Sequence, residues 1–237
     1  MEYANPQSAV ASVPQIRLAA RAILRDRDGH AVVAHYGSVP GEIAVCMKSV
    51  GLIDHSDYGV LELRGDRELL DQALGAHFGD PPLPVGSARS LHAVWYLRLS
   101  QRRTLLVGPH AALASWPPIA RADDRPDLAH RDLGASLAIV GVLGPRAARL
   151  LAAAGLPGKL AVGGVGTDVG DNDIVAILRE SQRRYLAIVP ADAAETFWAR
   201  LLIAGAPLGA AFVGRDALAL LDASQGAGRD EQQQGWR

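Results

Sequence analysis

Apolar positions in this chain recur mostly in short alternating runs, broken by stretches at helical spacing, and the runs come in a repeated order. Arg21-Ala22-Ile23-Leu24 and Ala31-Val32-Val33-Ala34 flank Asp28-Gly29, a pair suited to a tight turn, and predict an opening hairpin. Val39 to Val50 predicts a short helix, with Pro40 in its first turn and Gly51 as its stop. Next come a strand over Gly59 to Leu63, a helix from Arg67 to His77 opened by Asp66, and a Pro-rich loop from Gly79 to Gly86. Strands around Leu91 to Leu99 and Thr104 to Val107 follow, then a helix after Pro109 that stops before Pro117. The order then recurs: a strand over Leu137 to Val142, a helix from Pro145 to Ala154, a Gly-rich loop, two strands and a helix over Asp192 to Ile203. That last helix carries Ala193, Phe197, Leu201 and Ala204 on one face.

The recurrence is visible in the letters. Val94 to Val107 (V-W-Y-L-R-L-S-Q-R-R-T-L-L-V) matches Val175 to Ile188 (V-A-I-L-R-E-S-Q-R-R-Y-L-A-I), with Ser100 on Ser181 at an offset of 81 residues. Upstream, Leu63-Arg64-Gly65-Asp66-Arg67 answers Val142-Leu143-Gly144-Pro145-Arg146 at an offset of 79. A period near 80 residues is too long for a solenoid unit. It predicts an α+β fold, two layers thick, of two pseudo-repeated strand-helix-strand-strand-helix halves packed together. The halves are expected at 16–120 and 128–223, separated by the polar stretch Ala120 to Asp127. Residues 1–15 read as a flexible lead-in, and 224–237, poor in apolar residues, as a disordered tail after a last short helix. A ligand would sit where the halves meet.

Composition narrows the picture. The chain has 237 residues, 49% hydrophobic and 21% charged, which is ordinary for a globular protein. A net charge of −1 gives no broad footprint for nucleic acid. The apolar runs are too short to span a bilayer, and Met1 to Gln15 lacks the pattern of a secretory leader, so a cytoplasmic location is expected. The single cysteine, Cys46, excludes a disulfide framework and cysteine-built metal sites.

Few residues suggest chemistry. The seven histidines form no pair at helical metal-ligand spacing. Gly163 to Gly170 precedes a strand instead of opening a helix, so it reads as a connector and not a phosphate loop. Asp54-His55-Ser56-Asp57 lacks a nucleophile elbow and reads as an Asx-type turn before a strand. Arg98, Arg102, Arg103 and Arg179, Arg183, Arg184 read chiefly as solvated hairpin ends, with an acidic ligand or partner as the alternative. Trp95 and Tyr96 must point to opposite faces of their strand, and Arg98 shares the face of Tyr96, where it could hold a carboxylate or a flat ring.

The order of motifs resembles the aminomethyltransferase family of the glycine-cleavage T-protein. The matching residues are His35-Tyr36-Gly37, Glu42, Gly51-Leu52-Ile53-Asp54-His55-Ser56, Leu61-Glu62-Leu63-Arg64-Gly65, Leu143-Gly144-Pro145-Arg146, Val189-Pro190, and Gly214-Arg215-Asp216-Ala217-Leu218. They follow that family's "H-Y-G … E … G-L-F-D-x-S … L-x-L-x-G", "L-x-G-P-x-A" and "A-R-D-x-L-R-L-E" over about residues 30–222. The resemblance implies a folate-binding module with tetrahydrofolate held between the halves for one-carbon transfer.

The family's functional carboxylates are not retained. Its catalytic aspartate aligns with His92-Ala93, its folate-binding glutamate with Leu186, a tyrosine with Arg179, and the arginine of "L-R-L-E" with Ala219. Leucine and alanine cannot accept hydrogen bonds from a pterin or steer a proton. The motif "K-G-C-x-x-G-Q-E" of the iron–sulfur-assembly relatives is missing, and the family's C-terminal β-rich domain has no counterpart.

In character the chain is similar to the sarcosine oxidase γ subunit, which implies a non-catalytic accessory subunit alongside flavin oxidase subunits, or self-association. The alternatives are a folate-dependent transferase with a rearranged site, or a repurposed small-molecule protein using the cleft. The ligand-pocket candidates are His35, Tyr36, Asp54, His92, Tyr96, Arg98, Arg179 and Arg215, with His92 and Arg179 expected to line the crevice. No catalytic residue and no metal ligand is assigned.

Overall fold

The computed structural model describes residues 21–78, 82–114, 128–167 and 176–234. An N-terminal hairpin, β1 (Ile23–Arg27) and β2 (His30–His35), turns at Asp28 and Gly29, both at positive φ (54° and 81°). This is the expected tight turn. Helix α1 (Val39–Lys48) starts at Ser38, whose hydroxyl accepts the Gly41 N–H, with Pro40 in its first turn.

Gly51 does not end that helix. It lies in a fully buried strand, β3 (Val50–Asp54), where an added Cβ would come within 2.6 Å of Cys46 Sγ. The first half continues with β4 (Tyr58–Arg64), α2 (Arg67–Phe78), β5 (Ser87–Leu91), β6 (Val94–Ser100), β7 (Arg103–Pro109) and α3 (His110–Ala114). The strand expected over Leu91 to Leu99 is in fact two, because His92 and Ala93 take positive φ (49° and 65°) and fold β5 back on β6.

Then come β8 (Ala129–Asp132), β9 (Leu137–Leu143), α4 (Ala147–Ala153), β10 (Val165–Gly166), β11 (Ala176–Ser181), β12 (Arg184–Pro190), α5 (Ala194–Gly205), β13 (Ala210–Phe212) and α6 (Arg215–Gln234). Helix α6 runs to Gln234, well past the expected short helix. Adding residues to an existing helix costs far less than starting one, and its last turns hold Glu and Gln, good helix formers. The polar boundary Ala120 to Asp127 lies outside the described residues, as do residues 168–170 of the Gly163 to Gly170 connector.

The strands form a five-stranded sheet, β5-β6-β7-β4-β8, and a six-stranded sheet, β10-β11-β12-β9-β3-β13, besides the small hairpin. Two strands are exchanged. β3 precedes β4 in the chain but pairs with β9 in the other sheet, while β8 precedes β9 and pairs with β4. The two hairpins of the repeat share one register: Arg98↔Thr104 then Ser100↔Arg103, and Arg179↔Tyr185 then Ser181↔Arg184. Each therefore bulges at one residue, Leu99 in the first and Glu180 in the second.

Strand parity sorts the core. Val60, Leu97, Leu105 and Val107 of one sheet meet Ile139, Ala176, Leu178, Leu186 and Ile188 of the other, with Trp95 and Leu99 packed against them. On the outer face of the five-stranded sheet, Leu63, Tyr96 and Leu106 pack with Leu70, Leu74 and Leu113 of α2 and α3. On the outer face of the six-stranded sheet, Val140, Ile177 and Tyr185 pack with Leu150, Leu151, Phe197, Trp198 and Leu201 of α4 and α5. Each half is thus a sheet with helices on its outer face, and the sheets meet face to face. Burying one such leucine contributes roughly 1.5–3 kcal/mol.

Candidate functional site

The chain crosses from one sheet to the other at Asp54-His55-Ser56-Asp57. His55 N–H donates to Ile139 O and Tyr58 N–H to His55 O, each at 3.0 Å, which turns the backbone within three residues. The tight passage needs Gly141 beneath it: a Cβ there would lie 2.4 Å from Ile53 Cγ2 and 2.7 Å from His55 Nε2.

Arg215, the first residue of α6, closes over this turn. One guanidinium nitrogen lies 2.9 Å from His55 Nδ1 and another donates to Asp57 Oδ2. An arginine can only donate, so Nδ1 accepts and the imidazole proton sits on Nε2. Arg215 also lies over the Tyr58 ring, 5.4 Å from its centroid, and the His55 and Tyr58 rings are 4.4 Å apart. Arg27 of the N-terminal hairpin approaches Asp57 Oδ2 at 3.7 Å.

Buried Glu42 sets the position of Arg215. Its carboxylate accepts Tyr36 N–H at 2.7 Å and Gly214 N–H at 2.8 Å, tying the loop before α6 to the end of β2. Gly214 packs so closely that a Cβ would stand 2.1 Å from Ala34 O.

Burial and the neighbouring Arg215 and Arg184 hold His55 neutral, with its pKa well below the usual imidazole value. Burial, reinforced by the charge of Glu180, pushes the Tyr58 phenol up to about 12. Glu180 itself, half-buried at the β11 bulge, is pushed up to about 7 by burial, against the pull of Arg184 and a hydrogen bond from Trp95. Trp95 belongs to β6, so this contact links the two sheets. Arg184 in turn donates to Asp222 of α6. His55, Asp57, Tyr58, Glu180, Arg184 and Arg215 form one network at this end of the seam, holding both a neutral histidine and a carboxylate that titrates near neutrality.

The eight residues read from the sequence fall into two groups. His35, Tyr36, Asp54 and Arg215 belong to the neighbourhood of this network. Half-buried His35 accepts Gly37 N–H through Nδ1 at 3.1 Å, and Tyr36 stacks on Phe212 at 5.4 Å. Asp54 is buried at the end of β3, beside His55.

The other four lie elsewhere. His92 is exposed in the β5–β6 turn. Tyr96 and Arg98 face α2, where Arg98 is buried, 3.3 Å from Asp71 and 2.9 Å from Gln101 O. Arg179 faces the helices of the second half, 5.5 Å from the Tyr185 centroid and bonded to Leu160 O at 2.5 Å. The expectation that His92 and Arg179 line the crevice is therefore corrected. Leu178 faces the seam, so its neighbour Arg179 must face away from it.

Glu180 was not among the sequence candidates, yet the repeat carries its signal. At the offset of 81 it answers Leu99, so an acid replaces a leucine at an otherwise matched bulge.

Leu186, which the resemblance aligns with a folate-binding glutamate, is fully buried in the apolar seam. Among the described residues no group of three or more His, Cys, Asp or Glu could hold a metal ion. No helix among them is long and apolar enough to cross a membrane.

Exchanged strands and face-to-face sheets define the class: the chain has the α+β fold of an aminomethyltransferase folate-binding domain. It superposes on the glycine cleavage system aminomethyltransferase T from Bartonella henselae with a TM-score of 0.71 at 21% identity, over 86% of this chain and 58% of that one. The chain thus spans a little over half the length of that enzyme. A chain of the heterotetrameric sarcosine oxidase from Corynebacterium sp. U-96, in complex with pyrrole 2-carboxylate, matches with a TM-score of 0.51 at 19% identity, over 73% of this chain and 93% of that one. No family model and no curated protein sequence matches.

Proposed function

We propose that this protein is an accessory, non-catalytic subunit of an amine-oxidising complex of the sarcosine oxidase kind, partnered by flavin-bearing subunits. The observation that carries the reading is the commitment of three of its buried acids to structure. Asp57 is held by Arg215 and Arg27, Glu42 by two backbone amides, and Glu62 by Arg64 and Arg103. Leu186 supplies hydrocarbon where folate chemistry needs a carboxylate. The match along 93% of a sarcosine oxidase chain supports the same reading.

The test is purification of the untagged protein from its native cell under mild salt. The expected result is co-elution with larger chains carrying flavin absorbance. Recovery of a lone monomer whose melting temperature rises with tetrahydrofolate overturns the reading, since a ligand that binds only the native state raises its apparent stability.

Glu180 favours a second reading, a small-molecule site at the seam. A carboxylate titrating near 7 between Trp95 and Tyr58 can take or give a proton at neutral pH. Glu180→Gln separates the two readings, because it would abolish ligand binding but leave subunit assembly intact.

A further inference from the structure

The two hairpins of the repeat end differently. At the second, Ser181-Gln182-Arg183-Arg184, the last arginine is engaged by Asp222 of α6, an element outside the repeat. At the first, Ser100-Gln101-Arg102-Arg103, the turn opens instead onto a depression of about 490 Å³ lined by Arg64, Gly65, Ser100, Arg102 and Arg103. The first end also has an extra cation: Arg64 stands where the repeat offset of 79 places buried Leu143 in the second half.

Three guanidiniums here face two carboxylates, which leaves one positive charge in excess. Buried Glu62 accepts from Arg64 Nε at 2.9 Å and Arg103 Nε at 2.6 Å, and those guanidiniums hold its carboxyl below the usual range. Asp66 takes Arg102 at 2.5 Å. Each guanidinium has five N–H donors, so the two acids use only part of the set. The side chains of Arg64 and Arg102 are 62% and 76% exposed and can turn to a ligand. An exposed pair such as Arg102–Asp66 contributes little, so an incoming anion can replace Asp66. Ser100 Oγ accepts Arg102 N–H at 3.2 Å and keeps its own proton to donate.

We infer that this depression is an anion site for a small molecule presenting a phosphate or carboxylate group. Arg64 and Arg102 grip it, Ser100 supplies a further donor, and the Glu62–Arg103 pair forms the fixed wall. The site shares no residue with the His55–Arg215 network and does not depend on the oxidase reading.

The experiment is calorimetric titration of the full chain with inorganic phosphate and, separately, citrate, at an ionic strength fixed with chloride. Arg102→Glu, Arg64→Gln and Arg183→Glu are titrated alongside, with melting curves to confirm that each is folded. Arg183→Glu makes the same charge change as Arg102→Glu at the other hairpin end. Saturable binding of at least one anion is expected, weakened about tenfold or more by Arg102→Glu, and by less than about twofold in Arg183→Glu. Binding of citrate alone assigns a carboxylate ligand, and of phosphate alone a phosphorylated one. The inference is overturned if the unaltered chain binds neither anion. It is equally overturned if folded Arg102→Glu binds as well as the unaltered chain, or if Arg183→Glu loses as much as Arg102→Glu.

Discussion

Arg215 donates to His55 Nδ1 at 2.9 Å, and this one bond joins the first residue of α6 to the crossing between the two sheets, 160 residues away in the chain. It also keeps a cation against a buried histidine, and burial together with that charge holds the imidazole pKa well below its usual value.

That neutrality has a pH signature. The folded His55 pKa lies well below 6.5 while the unfolded chain's is ordinary, so the unfolded state binds the extra proton first as pH falls. Stability present above about pH 6.5 is lost as pH falls toward the folded value, with a slope of up to about 1.4 kcal/mol per pH unit from this group. Denaturant titrations of the natural protein and His55→Gln at pH 7.5 and 5.5 check it: the variant's slope over this interval should be shallower.

Glu180 contributes with the opposite sign. Its folded pKa of about 7 exceeds the usual 4.5, so its contribution is fully favourable below pH 4.5 and is lost as pH rises through 7. Glu180→Gln should therefore stabilise the protein by roughly 1–3 kcal/mol at pH 8 and change little at pH 5. Melting curves at the two pH values read this directly, and equal effects at both would contradict it.

Removing Arg215 leaves the Asp57 carboxylate buried with Arg27, 3.7 Å away, as its remaining cation among the described residues. Arg215→Ala should cost about 3–5 kcal/mol, and Asp57→Asn in the same chain should recover part of that loss. A double-mutant cycle measured by urea denaturation gives the coupling. Strictly additive losses would mean that the pair does not act as a unit.

The seam is an apolar core and should behave as one. Leu186→Ala is expected to cost about 2–5 kcal/mol with the fold retained, whereas Leu186→Glu should prevent folding by burying an unpaired charge. Circular dichroism and size-exclusion chromatography distinguish the two. A folded, folate-binding Leu186→Glu protein would mean that the seam is looser than its packing implies.

The elements legible in the sequence are those with local signals. Asp28-Gly29 marks the first turn, and the duplicated S-Q-R-R turns align the two hairpins so closely that even their bulges coincide. The alternation of Trp95, Tyr96 and Arg98 was equally readable, but not which face of the strand meets the other sheet. That face is settled only by long-range packing, and it places Trp95 in the seam and Arg98 under α2.

The short strands β3 and β8 were missed for the same reason. Nothing local in Val50–Asp54 says that its partner is Val140–Leu143, and Gly51 looks like a helix stop when its role is to let Cys46 pack against the strand. Half of the candidate site was readable from the family-like motifs around His35, Asp54 and Arg215. Glu180 needed the two repeats to be compared position by position.

Because β3 and β8 each complete the sheet of the opposite half, neither half holds a finished sheet by itself. Cutting the chain between Ala114 and Leu128 should give two pieces that are unstructured alone and become folded only on mixing, at a rate that depends on their concentrations. In the intact chain, the same exchange should make melting a single event in which both sheets are lost at once.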